Sequence, residues 1–363
     1  MQQIQTKYFL FFVFLSLSLL SQAQDSNRTK SVTLSGYVEI YYSYDFAKPN
    51  HHERPSFFYS HNRHNEVNLN LGLLKASYNT NKLRANLGLM SGTYAQYNLA
   101  TEQGLLKNVF EANVGLKLSA RHNVWIDAGI MPSHIGFESA ISKDCWVLTR
   151  SVLAENSPYY EAGLKLAYTS STEKVYLAAM YLNGWQKIQR NPGNQTPAFG
   201  TQFTYKPDEK STFNWSTYIG NEQADTLAKW RFFNNLYAQF LFNNKVGCIL
   251  GLDVGIQQQS KGSSHFHYWY SPLLIARYSC TNKIRIAARG EYYADQHGVI
   301  IQTSTSNGFQ TLGYSLNVDY LPTENAVIRI EGRALHSKDK IFESTHHPSR
   351  KNYFMTCSMA VSF

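Results

Sequence analysis

After its first twenty residues this 363-residue chain has no run of about eighteen apolar residues, which excludes a bundle of membrane-crossing helices. Charged residues make up only 16% of it, and the mean hydropathy of -0.35 is far below that of a helical membrane protein. Cysteines are few and scattered: Cys145, Cys248, Cys280 and Cys357 show no Cys-x-x-Cys spacing, so no disulfide framework is legible. No Gly-x-Ser-x-Gly elbow and no phosphate-cradling loop is present. Ser133 and His134 adjoin in sequence, which does not make a nucleophile and its base meet. The residues therefore give no case for an enzyme or a bound cofactor. No linker, low-complexity tract or shift of composition divides the chain, so one domain is expected.

What the chain has is alternation. Val67, Leu69, Leu71 and Leu73 interleave with Glu66, Asn68, Asn70 and Gly72. Phe110, Ala112, Val114, Leu116 and Leu118 interleave with Glu111, Asn113, Gly115 and Lys117. A period of two sets one face of a strand against oil and the other against water. Soluble sandwiches share this period, but their strands run nearer five or six residues. Segments of about ten suit a tilted strand crossing a membrane. Aromatics reach 14%, enough for belts at both interfaces. The pattern predicts an all-β, antiparallel up-and-down transmembrane barrel.

The first residues give an address. Lys7 precedes the apolar stretch Tyr8 to Leu20, and Ser21-Gln22-Ala23 supplies the small residues of a cleavage site. Residues 1–23 read as a cleaved signal peptide, 24–32 as a short periplasmic tail, and 33–363 as a single barrel in the outer membrane of a Gram-negative cell. Removing Lys7 takes the formal charge from +9 to +8.

Sixteen strands are expected, at 33–45, 65–78, 82–91, 108–120, 123–131, 159–169, 173–183, 197–206, 211–221, 229–242, 245–258, 265–280, 283–294, 308–321, 325–337 and 350–363; fourteen or eighteen fit the same pattern. Short connections rich in Asn, Pro and Ser alternate with long ones, as periplasmic turns alternate with outer loops in a porin. Both termini then lie on the periplasmic side.

The run Ile126-Asp127-Ala128-Gly129-Ile130-Met131-Pro132-Ser133-His134-Ile135-Gly136-Phe137-Glu138-Ser139, followed by Thr149-Arg150-Ser151 and Asn156-Ser157-Pro158-Tyr159-Tyr160-Glu161-Ala162-Gly163, resembles β-barrel porins of the OmpL-like type, the β-barrel porin-2 family. The resemblance implies a pore-forming outer-membrane protein and brings no substrate with it.

The third and longest outer loop, 132–158, is a candidate constriction carrying Glu138, Asp144 and Arg150, with Ile141, Trp146 and Leu148 to hold it against a wall. An outer loop packed on its neighbours fits the same residues, and Asp144 could instead cap a short helix. Parity puts Arg285, Arg289, Arg329 and Arg333 opposite outward aliphatics, so they should line the lumen together with Lys117, Glu111 and Asp127. They form a basic wall facing acids, which would set a transverse field, or charges paired with Glu291 and Glu331, and both arrangements can hold together. His51, His52, His61, His64, His336, His346 and His347 fall near the barrel seam, where they could hold a metal or serve as plain polar loop residues.

The expected function is passive diffusion of small hydrophilic solutes, with a ligand-binding barrel of little conduction as the alternative. Expected partners are outer-membrane lipid, lipopolysaccharide, the barrel-assembly machinery that reads a terminal strand ending in Phe363, and further copies of the chain. Nucleic acid is not expected.

Overall fold

The computed structural model describes residues 31–343 and 347–363. The expected leader and residues 24–30 of the expected tail lie outside the described residues, as does His346. No described helix is long and apolar enough to cross a membrane; the crossing elements are strands. They are β1 Ser31–Asp45, β2 Val67–Asn79, β3 Leu83–Ser91, β4 Val109–Lys117, β5 Asn123–Pro132, β6 Tyr160–Thr169, β7 Val175–Leu182 and β8 Ala198–Asp208. They continue with β9 Ser211–Asn221, β10 Trp230–Leu241, β11 Val246–Gln258, β12 Phe266–Ser279, β13 Ile284–Asp295, β14 Phe309–Thr323, β15 Ala326–Ser337 and β16 Lys351–Ser362. The sixteen strands form a closed barrel in chain order, with β1 against β16. The strand boundaries depart from the expected ones by no more than three residues, and β1 starts at Ser31 rather than 33.

Closure removes the open edges that would otherwise present unpaired backbone to lipid. The seam is antiparallel, running from Tyr37 opposite Ser362 to Asp45 opposite Phe354. Gly36 N–H donates to the Phe363 carbonyl at 2.7 Å, and Phe363 N–H returns the bond at 3.0 Å. The Phe363 ring lies over Gly36, in the space where a side chain at residue 36 would stand.

Sequence periodicity sorts the faces of most strands correctly. On β14, Leu312, Tyr314, Leu316, Val318 and Tyr320 are exposed on the outside, while Thr311, Ser315, Asn317 and Asp319 are buried within. Cys357 is outward and exposed, among Met355 and Met359. Strand β2 corrects the expectation. Leu71 is 0% exposed and Leu73 also faces inward, whereas Leu74 is 65% exposed. Asn70 is buried too, so inward parity shifts by one residue between Asn70 and Leu71. The cause is a helix, α1 Thr93–Asn98, in the second outer loop. It brings Tyr94, Ala95 and Leu99 against Leu71 and Leu73, giving the inner face an apolar partner instead of water.

Because cost on the lipid face depends on depth, Leu316→Arg at the middle of β14 should lower folding stability in lipid vesicles by about 2–4 kcal/mol, and Tyr320→Arg near the strand end by about 0–1 kcal/mol. Urea titrations of the refolded barrel check this; equal costs at the two positions would contradict a bilayer around this face.

Candidate functional site

The connection between β5 and β6, residues 133–159, enters the barrel and runs the depth of it. Its outer ends join Pro132 and Tyr160, yet its tip reaches the short-turn side. There Lys143 Nζ donates to Ser362 Oγ at 2.9 Å, next to the last residue of the chain. Ser142 Oγ donates to Glu39 and lies 3.0 Å from the Tyr37 hydroxyl on β1. Asp144 ends a 3-10 turn, Ser142–Asp144, at the exposed tip. It does not cap a helix; that role belongs to Ser151, whose side chain accepts from Ala154 N–H at 3.1 Å at the start of the single turn α2 Val152–Glu155.

A loop threaded through a barrel carries backbone groups that can reach neither water nor a sheet ladder, and each needs a partner. The wall charges supply them. Arg329 donates to the Ser142 carbonyl at 2.5 Å and the Cys145 carbonyl at 3.0 Å. Asn317 accepts from Leu148 N–H at 3.1 Å, and Glu331 from Thr149 N–H at 2.6 Å. Arg289 donates to the Thr149 carbonyl at 2.6 Å and Arg333 to the Arg150 carbonyl at 2.8 Å. Glu291 accepts from Val152 N–H at 2.7 Å. The same side chains pair with one another: Arg289 meets Glu331 at 2.8 Å, Arg329 grips Asp319 through two bonds of 2.7 and 3.0 Å, and Arg333 donates to Glu291.

Arg289, Arg329 and Arg333 thus face inward, but beneath the loop and not against open water. Of the four arginines expected on this wall, Arg285 alone stays partly exposed, near the short-turn end. Arg150 forms no ion pair with a wall acid among the described residues. It staples the loop to itself, donating to the carbonyls of Ser139, Ala140 and Leu148 at 2.6–2.8 Å. Glu138 accepts from the Ser151 N–H and hydroxyl.

Across the lumen, β2 to β6 carry a different arrangement. Lys75 pairs with Glu111 at 2.6 Å, and Arg84 with Asp127 at 2.5 Å, with Lys165 3.9 Å from the same carboxylate. The acids are buried here, while the side chains of Lys75, Arg84 and Lys165 remain 30%, 29% and 23% exposed. Lys117 is likewise partly exposed on this face.

Sequence reasoning missed how His134 serves as an anchor. Its Nδ1 lies 2.7 Å from Glu161, and its Nε2 meets the Thr217 carbonyl at 2.8 Å, tying the start of the loop to β6 and β9. Partners so far apart in the chain leave no periodic signal. The seam histidines take different partners: His61 meets Glu39 at 3.2 Å, His64 accepts from Asp45 N–H at 2.9 Å and stacks on His52 with ring centroids 6.1 Å apart, and His51 approaches Glu343 at 3.2 Å. No metal-binding group of His, Cys, Asp and Glu occurs among the described residues.

A family model described as "Putative beta-barrel porin-2, OmpL-like" matches residues 31–363, the whole of the barrel. The chain belongs to this porin family. No curated protein matches it in sequence. Among solved structures, it is similar to an anion-selective porin from Comamonas acidovorans, at 11% identity and a TM-score of 0.60, covering 92% of this chain and 99% of that one. OmpT, an outer membrane protein of Vibrio cholerae, gives 9% identity and a TM-score of 0.59 over 94% and 100% of the two chains. The outer membrane channel DcaP of Acinetobacter baumannii gives 10% and 0.55, over 92% and 97%. Identities this low show a shared fold. The family makes this chain an outer-membrane diffusion channel.

Within this porin one buried acid ties two loops. Glu155 accepts from Tyr59 N–H and Ser60 N–H of the first outer loop at 3.0 and 3.2 Å. Burial pushes its carboxyl up to about 7 from 4.5, against the lowering effect of those amides and of Arg150 and Arg54. A raised folded value means the neutral acid is preferred inside, so this contribution is full below about 4.5 and lost as pH rises through about 7. Between pH 5 and pH 8 the amides of Tyr59 and Ser60 should therefore lose protection beyond the ordinary base-catalysed increase. Glu155→Gln, which keeps an acceptor and cannot ionise, should remove that extra loss. Hydrogen exchange measures it, and identical profiles for the two proteins would count against this latch.

Proposed function

We infer that small hydrophilic solutes cross this porin along the wall formed by β2 to β6, with anions preferred, and that the threaded loop 133–159 sets the narrowest section. The observation that carries this is the asymmetry of exposure on that wall. Lys75, Arg84, Lys117 and Lys165 reach solvent, while Glu111 and Asp127 lie buried beneath them. Water and passing ions meet the cations, and in a low-dielectric channel a local excess of one sign raises the concentration of the other. The anion-selective porin from Comamonas acidovorans has a similar fold, which is consistent with this reading.

The loop's own grip favours a second reading, a barrel of little conduction. It is fixed to both walls, through Arg329 and Glu331 on one side and His134 on the other. Planar-bilayer recordings separate the two, since a closed barrel gives no current steps. Selectivity then locates the path. Replacing Lys75, Arg84 and Lys165 together with Gln should move the reversal potential under a salt gradient toward zero. Arg289→Gln with Arg333→Gln should leave it in place and instead loosen the loop, because breaking a buried pair costs about 3–5 kcal/mol. A selectivity change confined to the second variant would place the path under the loop and overturn the assignment.

Insertion follows from the last strand. Tyr353, Met355, Cys357, Met359, Val361 and Phe363 alternate outward to the end, and Phe363 closes the seam on Gly36. This strand fits what the barrel-assembly machinery reads. Deleting Phe363 should lower the inserted protein several-fold in outer-membrane fractions without stopping export across the inner membrane; unchanged outer-membrane levels would refute it.

A further inference from the structure

At the periplasmic mouth lies a cavity of about 750 Å³, lined by the loop tip, β12, β13 and three of the short turns. Lys143, Arg277, Lys283 and Arg285 converge on it, with Asp144, Asp319 and Glu324 as the only acids of its lining. Asp319 is spoken for. The strand register sets it directly opposite both Arg285 on β13 and Arg329 on β15, and Arg329 takes it in the two-bond grip. Arg285 is left without a carboxylate partner among the described residues.

Arg277 is in the same position for a different reason. Its guanidinium lies over the Trp146 ring at 4.0 Å, which orients its plane and leaves its N–H edges free. Register puts Arg277 opposite Ala287 and Arg285 opposite Ser279, so the two arginines are diagonal neighbours on adjacent strands with both side chains inward. Two guanidinium forks at that spacing, flanked by two lysines and by Ser279, Thr281 and Asn282, match a ligand with oxygens on more than one side and more than one negative charge.

We propose that this mouth is a binding site for phosphate groups of periplasmic solutes, held between Arg277 and Arg285. Its lining faces the lumen, so headgroups of the surrounding membrane do not reach it. A site on this side only makes the porin asymmetric, with phosphorylated solutes retained where they would leave the cell. The proposal is independent of the diffusion reading, because a barrel that conducts nothing would still bind.

Titration calorimetry of the refolded full-length barrel with pyrophosphate tests it. Saturable binding is expected, weakening as sodium chloride is raised because exposed charges are screened. Arg277→Gln combined with Arg285→Gln should lower the affinity by about tenfold or more, the loss expected for charged hydrogen bonds. Lys283→Gln, on an exposed turn, should cost less. Heat-modifiable gel mobility shows whether each variant has folded. If the double variant does not fold, Arg285→Lys keeps the charge and removes the fork, and should still weaken binding several-fold. Absence of binding to the native protein, or affinity unchanged in a folded arginine variant, overturns the proposal.

Discussion

Everything inside this barrel depends on one requirement: the backbone of the threaded loop must find hydrogen-bond partners where neither water nor a neighbouring strand provides them. Between Ser142 and Val152 the loop has no regular structure except one turn at each end of that stretch. Its carbonyls go to Arg329, Arg289 and Arg333, and its amides to Asn317, Glu331 and Glu291. These six side chains alternate along three adjacent strands, so they act as a ladder built of side chains. Long charged groups suit the task, because strand backbones are already consumed by the barrel and cannot reach the loop themselves.

That use of charge changes what charge means in this lumen. A ladder of arginines on an inner wall reads naturally as a field for passing ions, and the same residues read equally well as mutual pairs. The structure shows them under the loop, in contact with acids on their own wall. Buried pairs of this kind contribute little net stability over apolar packing, since desolvation offsets most of the attraction. Their advantage is direction: a guanidinium or carboxylate specifies which carbonyl or amide it takes, whereas an aliphatic wall would let the loop slide. Exposed charge is found elsewhere, on β2 to β6 and at the short-turn mouth, where cations outnumber the acids of the lining.

The barrel itself was legible because its physics is periodic. Lipid outside and water or polar packing inside impose a two-residue rhythm, and turn residues interrupt it at intervals set by membrane thickness. The rhythm failed where a third environment intervened. Leu71 and Leu73 read as lipid-facing because an apolar inner face was not anticipated, and only the doubled Leu73-Leu74 in the sequence marks the shift. The loop's path was illegible for a related reason. His134 with Glu161 and Thr149 with Glu331 are matched by depth in the barrel, and no local spacing encodes depth.

Depth also accounts for why the loop enters from one side and is felt on the other. The loop is long enough for its tip to reach Ser362, one residue from the end of the chain, while Glu155 near its return holds the first outer loop. One segment thereby touches the seam strands β1 and β16, the wall β13 to β15 and the outer loops. Any movement of the loop must break contacts on separate strands, since His134 is held by β6 and β9 and the arginine ladder stands on β13 and β15. The loop therefore behaves as a strut, joined to the barrel wall at both ends of its path. Beside the strut, on β2 to β6, the side chains of Lys75, Arg84 and Lys165 stay 23–30% exposed, so the loop does not cover every inward charge.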